Sequence, residues 1–211
     1  MNQRTAFITG ANGAIGQALC AAFHESGYRV IGSDQGENTE SSVNSYVAVD
    51  LARLCHDAAY QSDKLNCLQE EIGDTGLHVL INNAAIQIIA PVEKLSVKDW
   101  YTTLDVNLIA PFVLTKSLLP VLQIAKGSVI NVASIHAQLT KPHFTAYATS
   151  KAAMVGMTRS LAVELGSRVR VNAICPAAIS TPMLEAGFEN NPQGLTDLDS
   201  YHPSGSIGTT K

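Results

Sequence analysis

Several things are scarce in this sequence. Its 211 residues include one Trp and four Cys, only 15% are charged, and nowhere do Lys and Arg form a run. Without a basic stretch nothing tracks a phosphodiester backbone, and the net charge of -4 points away from nucleic acid as a partner. Cys20, Cys55, Cys67 and Cys175 form no C-x-x-C pair and have no histidine at ligand spacing, so a disulfide framework or metal site has no basis. They are expected to be buried thiols in a reducing compartment. No apolar stretch could span a bilayer, and the segment TAFIT after the N-terminus is too short for a signal-peptide core. These absences predict a soluble cytoplasmic protein without a membrane partner, and the length predicts a single domain over 1–211.

What is present is a set of short β-branched runs: Thr5–Thr9, Arg29–Gly32, Tyr46–Val49, His78–Ile81, Ser128–Val132 and Arg168–Ile174. Most lack in/out alternation, as strands covered on both faces do, and helix-length periodic patterns separate most of them. The combination predicts an α/β fold with a doubly wound parallel sheet and helices on both faces. Ile15, Ala18, Leu19, Ala22 and Phe23 recur at helical spacing up to Gly27. Ser96 with Asp99 is a capping-box variant, Pro111 begins or bends the next helix, and a long helix is expected from about Ala146 to Leu165. Residues 182–205 contain prolines and weak periodicity, and read as a lid loop with one short helix.

Three features carry chemistry. The stretch ITGANGAIG puts Gly10, Gly13 and Gly16 between a strand and a helix, where free N–H groups and the helix dipole favour a pyrophosphate. Such a turn is equally common as plain βα geometry. Asp34, at the end of the next strand, shifts the balance, because a carboxylate there accepts both adenosine ribose hydroxyls and repels a 2′-phosphate. NAD is therefore expected over NADP. Asp50 ends the third strand, where it could meet the adenine. Downstream, Tyr147 and Lys151 lie four apart on one helical face. A phenol with a pKa near 10 needs a cation beside it to act as a base at neutral pH, and Lys151 can be that cation. Ser134 follows the fifth strand, at the edge where doubly wound folds bind ligands.

In order along the chain, TGANGAIG, Asp34, NNAA at Asn82–Ala85, Asn107, Ser134, YATSK and NAICPAAIST resemble the short-chain dehydrogenase/reductase family, compact single-domain branch. The resemblance implies a Rossmann-type oxidoreductase that moves a hydride between NAD(H) and a secondary alcohol or ketone. It implies Tyr147 as acid/base, Ser134 as hydrogen-bond partner of the substrate oxygen, and Lys151 as the group that lowers the tyrosine pKa and bonds the nicotinamide ribose. Asn107 would support a water relay to Lys151. Cofactor contacts are carried to Gly10, Asn12, Gly13, Ile15, Gly16, Asp34, Asp50, Leu51, Asn83, Ala84, Ala85, Tyr147, Lys151, Pro176, Ile179 and Thr181. A homodimer or homotetramer through Pro111–Leu122 and Tyr147–Leu165 is implied by the same resemblance.

Two departures qualify it. The glycine spacing T-G-x-x-G-x-x-G looks like the family's extended branch, with Ala14 where a glycine is expected, and Ala177 replaces a common glycine. The chain also stops at Lys211, which predicts a sheet without the family's last helix and seventh strand, and Arg168–Ile174 as an exposed edge apolar on both faces. That leaves a shortened enzyme, favoured by its intact catalytic positions, or a nucleotide-binding regulator without turnover. Reduction of 3-oxoacyl groups on a carrier protein is the other alternative, opposed by an acidic lid without Lys or Arg. Gln87, Ser134, His136, Phe144 and Met183 are the expected substrate contacts. His136 could relay protons, although the ordinary role of such a histidine is neutral and locally hydrogen-bonded.

Overall fold

The computed structural model describes residues 3–39, 41–188 and 192–210. Six parallel strands, β1 (Thr5–Thr9), β2 (Arg29–Ser33), β3 (Ser45–Tyr46), β4 (Val79–Asn82), β5 (Ser128–Val132) and β6 (Arg170–Ile174), form one sheet in the order β3-β2-β1-β4-β5-β6. Thr9 lies opposite Ser33, and Asn82 opposite Asn131, so the carboxyl ends of the central strands share one edge. Between β1 and β4 the winding direction reverses, and the chain leaving each strand there diverges to open a crevice.

Successive side chains of β1 explain the missing alternation. Phe7 points into a core with Ile31, Leu80, Val129 and Val171, while Ala6 and Ile8 join Val30, Val79 and Ile81 on the other face. Helix α1 (Ala14–Glu25) covers the second face through Cys20 and the partly buried Leu19 and Phe23. Helices α2 (Leu51–His56) and α3 (Ala58–Ile72), capped by Asp50 and Asp57, bring Leu54, Leu68 and Ile72 to the first. Next come α4 (Val97–Leu104), with the full Ser96–Asp99 capping box, α5 (Ala110–Ser117), α6 (Leu119–Ile124) and α7 (Thr145–Leu165). Leu114, Leu118, Leu122 and Leu165 pack on the first face as well.

Four expectations need correction. The third strand is two residues long and starts one residue earlier than expected, although Val47 and Val49 still donate to the carbonyls of Gly32 and Asp34. β6 is not apolar on both faces: Val171 is buried and Arg170 and Asn172 are exposed, so the strand alternates and only Ile174 is an apolar liability there. Residues 182–205 hold two short helices and a 3-10 turn, α8 (Pro182–Ala186), α9 (Pro192–Leu198) and Asp199–Tyr201, since Thr181 caps α8 and Pro182 and Pro192 are shaped for a first helical turn. Of the cysteines, Cys20 is buried, Cys55 and Cys67 are half-buried, and Cys175 is exposed. Among the described residues no helix is long and apolar enough to cross a membrane.

Candidate active site

A cleft of about 1140 Å³ runs along the carboxyl edge of the sheet. It is lined by every cofactor and substrate residue expected from the sequence, from Gly10 to Met183, with Asn107 alone among the expected site residues behind its wall. The lining also includes Thr9, Ser33, Gln35, Leu139, Lys141, Phe188, Leu198, Tyr201 and His202, none of which sequence reasoning identified. Thr9 and Ser33 are the last residues of β1 and β2, and the others come from loops and from the lid, where periodicity offers no signal.

The glycine turn is a close-packed joint. Gly10 adopts φ +68°, and a Cβ on it would lie 2.8 Å from the Ala84 Cα. A Cβ on Gly16 would stand 1.9 Å from the Gly10 carbonyl oxygen, so this buried glycine serves the turn's own packing. Gly13 has only an ordinary 3.4 Å neighbour, so no close approach requires a glycine at that position. Asn83 stitches the joint across the crevice, its Nδ2 donating to the Thr9 and Gly10 carbonyls at 2.9 and 3.2 Å, while the Thr9 hydroxyl accepts from the Asn83 and Ala84 amides. No side chain caps α1 at Gly13, so its first N–H groups are left for an anion.

Asp34 accepts from the backbone amides of Asn12 and Gln35, at 3.2 and 2.8 Å, which fixes its carboxylate at the cleft wall. Asn12 in turn ties the turn to the following loop through the Glu37 carbonyl and the Tyr46 hydroxyl. Asp50 is occupied as the cap of α2 and accepts from Gln35 at 3.0 Å.

On the opposite wall, Tyr147 and Ser134 are 8% and 7% exposed, and Lys151 is 1% exposed. Lys151 Nζ donates to the Val132 carbonyl at 2.7 Å and lies 5.7 Å from the centroid of the Tyr147 ring. Burial lowers the Lys151 pKa to about 8. Burial also raises the Tyr147 pKa, with the Ser134 side chain opposing the shift. Lys151 is not among the groups that shift it, its ammonium being engaged with the Val132 carbonyl.

Asn107 sits where Pro111, four residues on, has no N–H to offer its carbonyl, and the ladder opens into a π turn over Asp105–Ile109. Its side chain is fully committed: Oδ1 accepts from the Ile86 amide, and Nδ2 donates to the Ile86 carbonyl and to Ser150 Oγ. Ser150 donates to the Tyr147 carbonyl at 2.7 Å, so Asn107 reaches the tyrosine's helix turn through Ser150.

His136 stacks on Phe144 at 4.5 Å and meets the Tyr147 ring edge-on at 5.9 Å. Burial and the nearby Lys141 cation lower its pKa against the opposing effect of the Leu139 backbone, which keeps it neutral, and its Nδ1 is buried without a hydrogen-bond partner among the described residues. The expected local hydrogen-bond satisfaction is thus incomplete. Among the other histidines, His56 pairs with Asp105 at 2.7 Å, and His78 Nδ1 accepts from the Thr5 amide.

A model of the short chain dehydrogenase family matches residues 4–192. The chain belongs to that family. It is 29% identical to 3β-hydroxysteroid dehydrogenase 1 of Eggerthella lenta, a match covering 97% of this chain and 81% of the relative. Among solved structures it resembles a protein assigned as an NAD(P)-dependent gluconate 5-dehydrogenase from Beutenbergia cavernae, with NADP bound at low occupancy. That likeness has 30% identity, a TM-score of 0.86, and covers 98% of this chain and 84% of that one. A 4-hydroxyisoleucine dehydrogenase complexed with NADH gives 30% identity and a TM-score of 0.81, covering 99% and 86%. The short-chain dehydrogenase fold is thus a nucleotide-binding oxidoreductase fold whose solved members include both NADH and NADP complexes.

Proposed function

We propose that this protein is an NAD(H)-dependent dehydrogenase/reductase that interconverts a secondary alcohol and its ketone, with Tyr147 as general acid/base. What supports the reading is one juxtaposition: Tyr147, Ser134 and the buried Lys151 share a cleft with an uncapped helix N-terminus and the Asp34 carboxylate. The cleft's own features fit a dinucleotide. Helix α1 starts without a side-chain cap, leaving N–H groups for a pyrophosphate, and Asp34 stands at the end of β2, where it would accept ribose hydroxyls and repel a 2′-phosphate. Lys151 and Tyr147 would hold the nicotinamide half, together with Pro176, Ile179 and Thr181. When bound, the nicotinamide supplies the hydride acceptor or donor, and in its oxidised form a positive charge that favours the phenolate.

In the oxidation direction, Tyr147 Oη takes the proton of the substrate hydroxyl while Ser134 Oγ holds that oxygen. In reduction, Tyr147 Oη returns the proton to the carbonyl oxygen. Lys151 contributes its charge from within hydrogen-bonding distance of β5, and Asn107 would support a water chain that resupplies protons to it. Asn107 also positions Tyr147 by way of Ser150. We place the enzyme in the cytoplasm, acting on a small molecule, as a homodimer or homotetramer through the faces of α5 and α7 that expose Phe112 and Val163.

The test is a panel of ketones with NADH and NADPH followed by absorbance, and NADH binding measured separately. Turnover with NADH above NADPH is expected. Tyr147→Phe should cut kcat by roughly 10²–10⁴-fold with NADH affinity unchanged. A Phe variant at near the parent rate would refute the role of Tyr147, and NADH binding without turnover across the panel would point to a nucleotide-binding regulator.

A further inference from the structure

The substrate end of the cleft carries a solvent-exposed cation without an acidic partner among the described residues. Lys141, in the segment before α7, lines the cleft and holds its Nζ 4.7 Å from the centroid of the Phe144 ring and 4.3 Å from that of Phe188. Phe144 immediately precedes α7 and lies 6.1 Å from the Tyr147 ring, and Phe188 follows α8 in the lid. The ammonium thus bridges floor and lid, one aromatic ring away from the tyrosine. Aromatic faces attract a cation weakly and do not neutralise it. No carboxylate pairs with Lys141 among the described residues, and the acidic side chains of the cleft, Asp34 and Asp50, lie at its β2 and β3 end.

The neighbour of this charge is also basic. The His136 imidazole feels the Lys141 cation, stacks on the same Phe144 ring, and buries an Nδ1 that has no partner. One cation and one neutral imidazole, with no acid beside them among the described residues, face the space a substrate must enter. A neutral substrate filling that space would strip water from the ammonium and return nothing, which is costly. An anion would return a charge-assisted hydrogen bond instead. With a single cation at this end of the cleft among the described residues, the complement is a monoanion.

We propose that the substrate pair is a hydroxy acid and its oxo acid, with the carboxylate held by Lys141 while the reacting carbon stands at Tyr147. This rests on the dehydrogenase reading above and narrows its substrate class. Lys141 is a specificity residue in this scheme: it touches neither the proton nor the hydride in transit.

The test compares oxo acids of about four to eight carbons with their methyl esters, in wild type, Lys141→Met and Lys141→Arg, using NADH. In wild type at least one acid should exceed its ester in kcat/KM by roughly 10- to 100-fold, the worth of a hydrogen bond to a charged group. Lys141→Met should bring that ratio close to one, through KM for the acid, with the ester and NADH affinity unmoved, and Lys141→Arg should restore most of it. In parallel, a saturated monocarboxylate such as hexanoate should quench or shift NADH fluorescence in the wild-type binary complex and do so much more weakly in Lys141→Met. Esters or neutral ketones used as well as acids, an acid/ester ratio unchanged in Lys141→Met, or hexanoate binding indifferent to the substitution would each overturn the proposal and leave the dehydrogenase reading standing. Failure of every ketone, acid or ester, would overturn both.

Discussion

The two ends of the cleft are built on opposite terms. At the β1–β4 end the polar groups are already paired within the protein: Asn83 with Thr9 and Gly10, Asp34 with Asn12 and Gln35, Asp50 with the start of α2. At the lid end Lys141 and His136 Nδ1 have no such partner among the described residues, and the lid itself contributes only short helices. The first end has its shape before any ligand arrives. The second keeps groups whose pairing a substrate would complete, a contrast expected where one end meets a cofactor and the other selects a substrate.

The strongest way to break this contrast is Gly16→Ala. Its new Cβ would meet the Gly10 carbonyl at 1.9 Å, backbone against backbone, so nothing flexible can yield. We expect a loss of about 3 kcal/mol or more, and a melting temperature lower by roughly 6–12 °C. A variant as stable as the parent would show that the turn is not the rigid end.

The next test lies at the seam, where Lys151 meets Tyr147. Burial holds Lys151 at about 8 against an ordinary 10.5. Between those values the unfolded chain binds the lysine proton and the folded one has released it, so stability rises with pH across that window and carries the full penalty below it. The expected gain from this group is about 3 kcal/mol. Tyr147, with its raised pKa, acts in the opposite direction only above about pH 10. Thermal melts at pH 7 and pH 10 should therefore show wild type gaining on Lys151→Met as pH increases. Parallel curves would mean that the lysine is solvated in solution.

The smallest effect is expected in the lid. Asp199 Oδ1 accepts from the Ile207 amide at 2.8 Å and helps close the segment after α9. Asp199→Ala should cost no more than about 1 kcal/mol in a global melt, yet raise KM for the substrate while leaving NADH affinity unchanged. If NADH affinity fell equally, the two ends would be one cooperative unit.

Much of this architecture was legible without coordinates because it is local. β1 and β5 begin and end where the apolar runs do, and Ser96 with Asp99 forms its box as the three-residue spacing requires. Tyr147, Ser134 and Lys151 reach one cleft because they follow strand ends or share a helix face in a fold whose connections are regular. The failures have a common cause. Helices α8 and α9 were obscured by prolines that start helices as readily as they end them, and β6 alternates because a helix packs on only one of its faces among the described residues. Lys141 and Phe188 are 47 positions apart in the chain, and no pattern in the sequence announces that they meet.

By itself, then, the sequence determined the strand order along the chain, the glycine joint, the helix caps and the identity of the polar groups at the strand ends, all set by interactions within a few residues. Only the tertiary structure decided which charges are paired. Burial, not the lysine four residues away, governs the tyrosine's proton affinity in this state. Desolvation and long-range contact depend on what surrounds a group in space, and the sequence lists neighbours only along the chain.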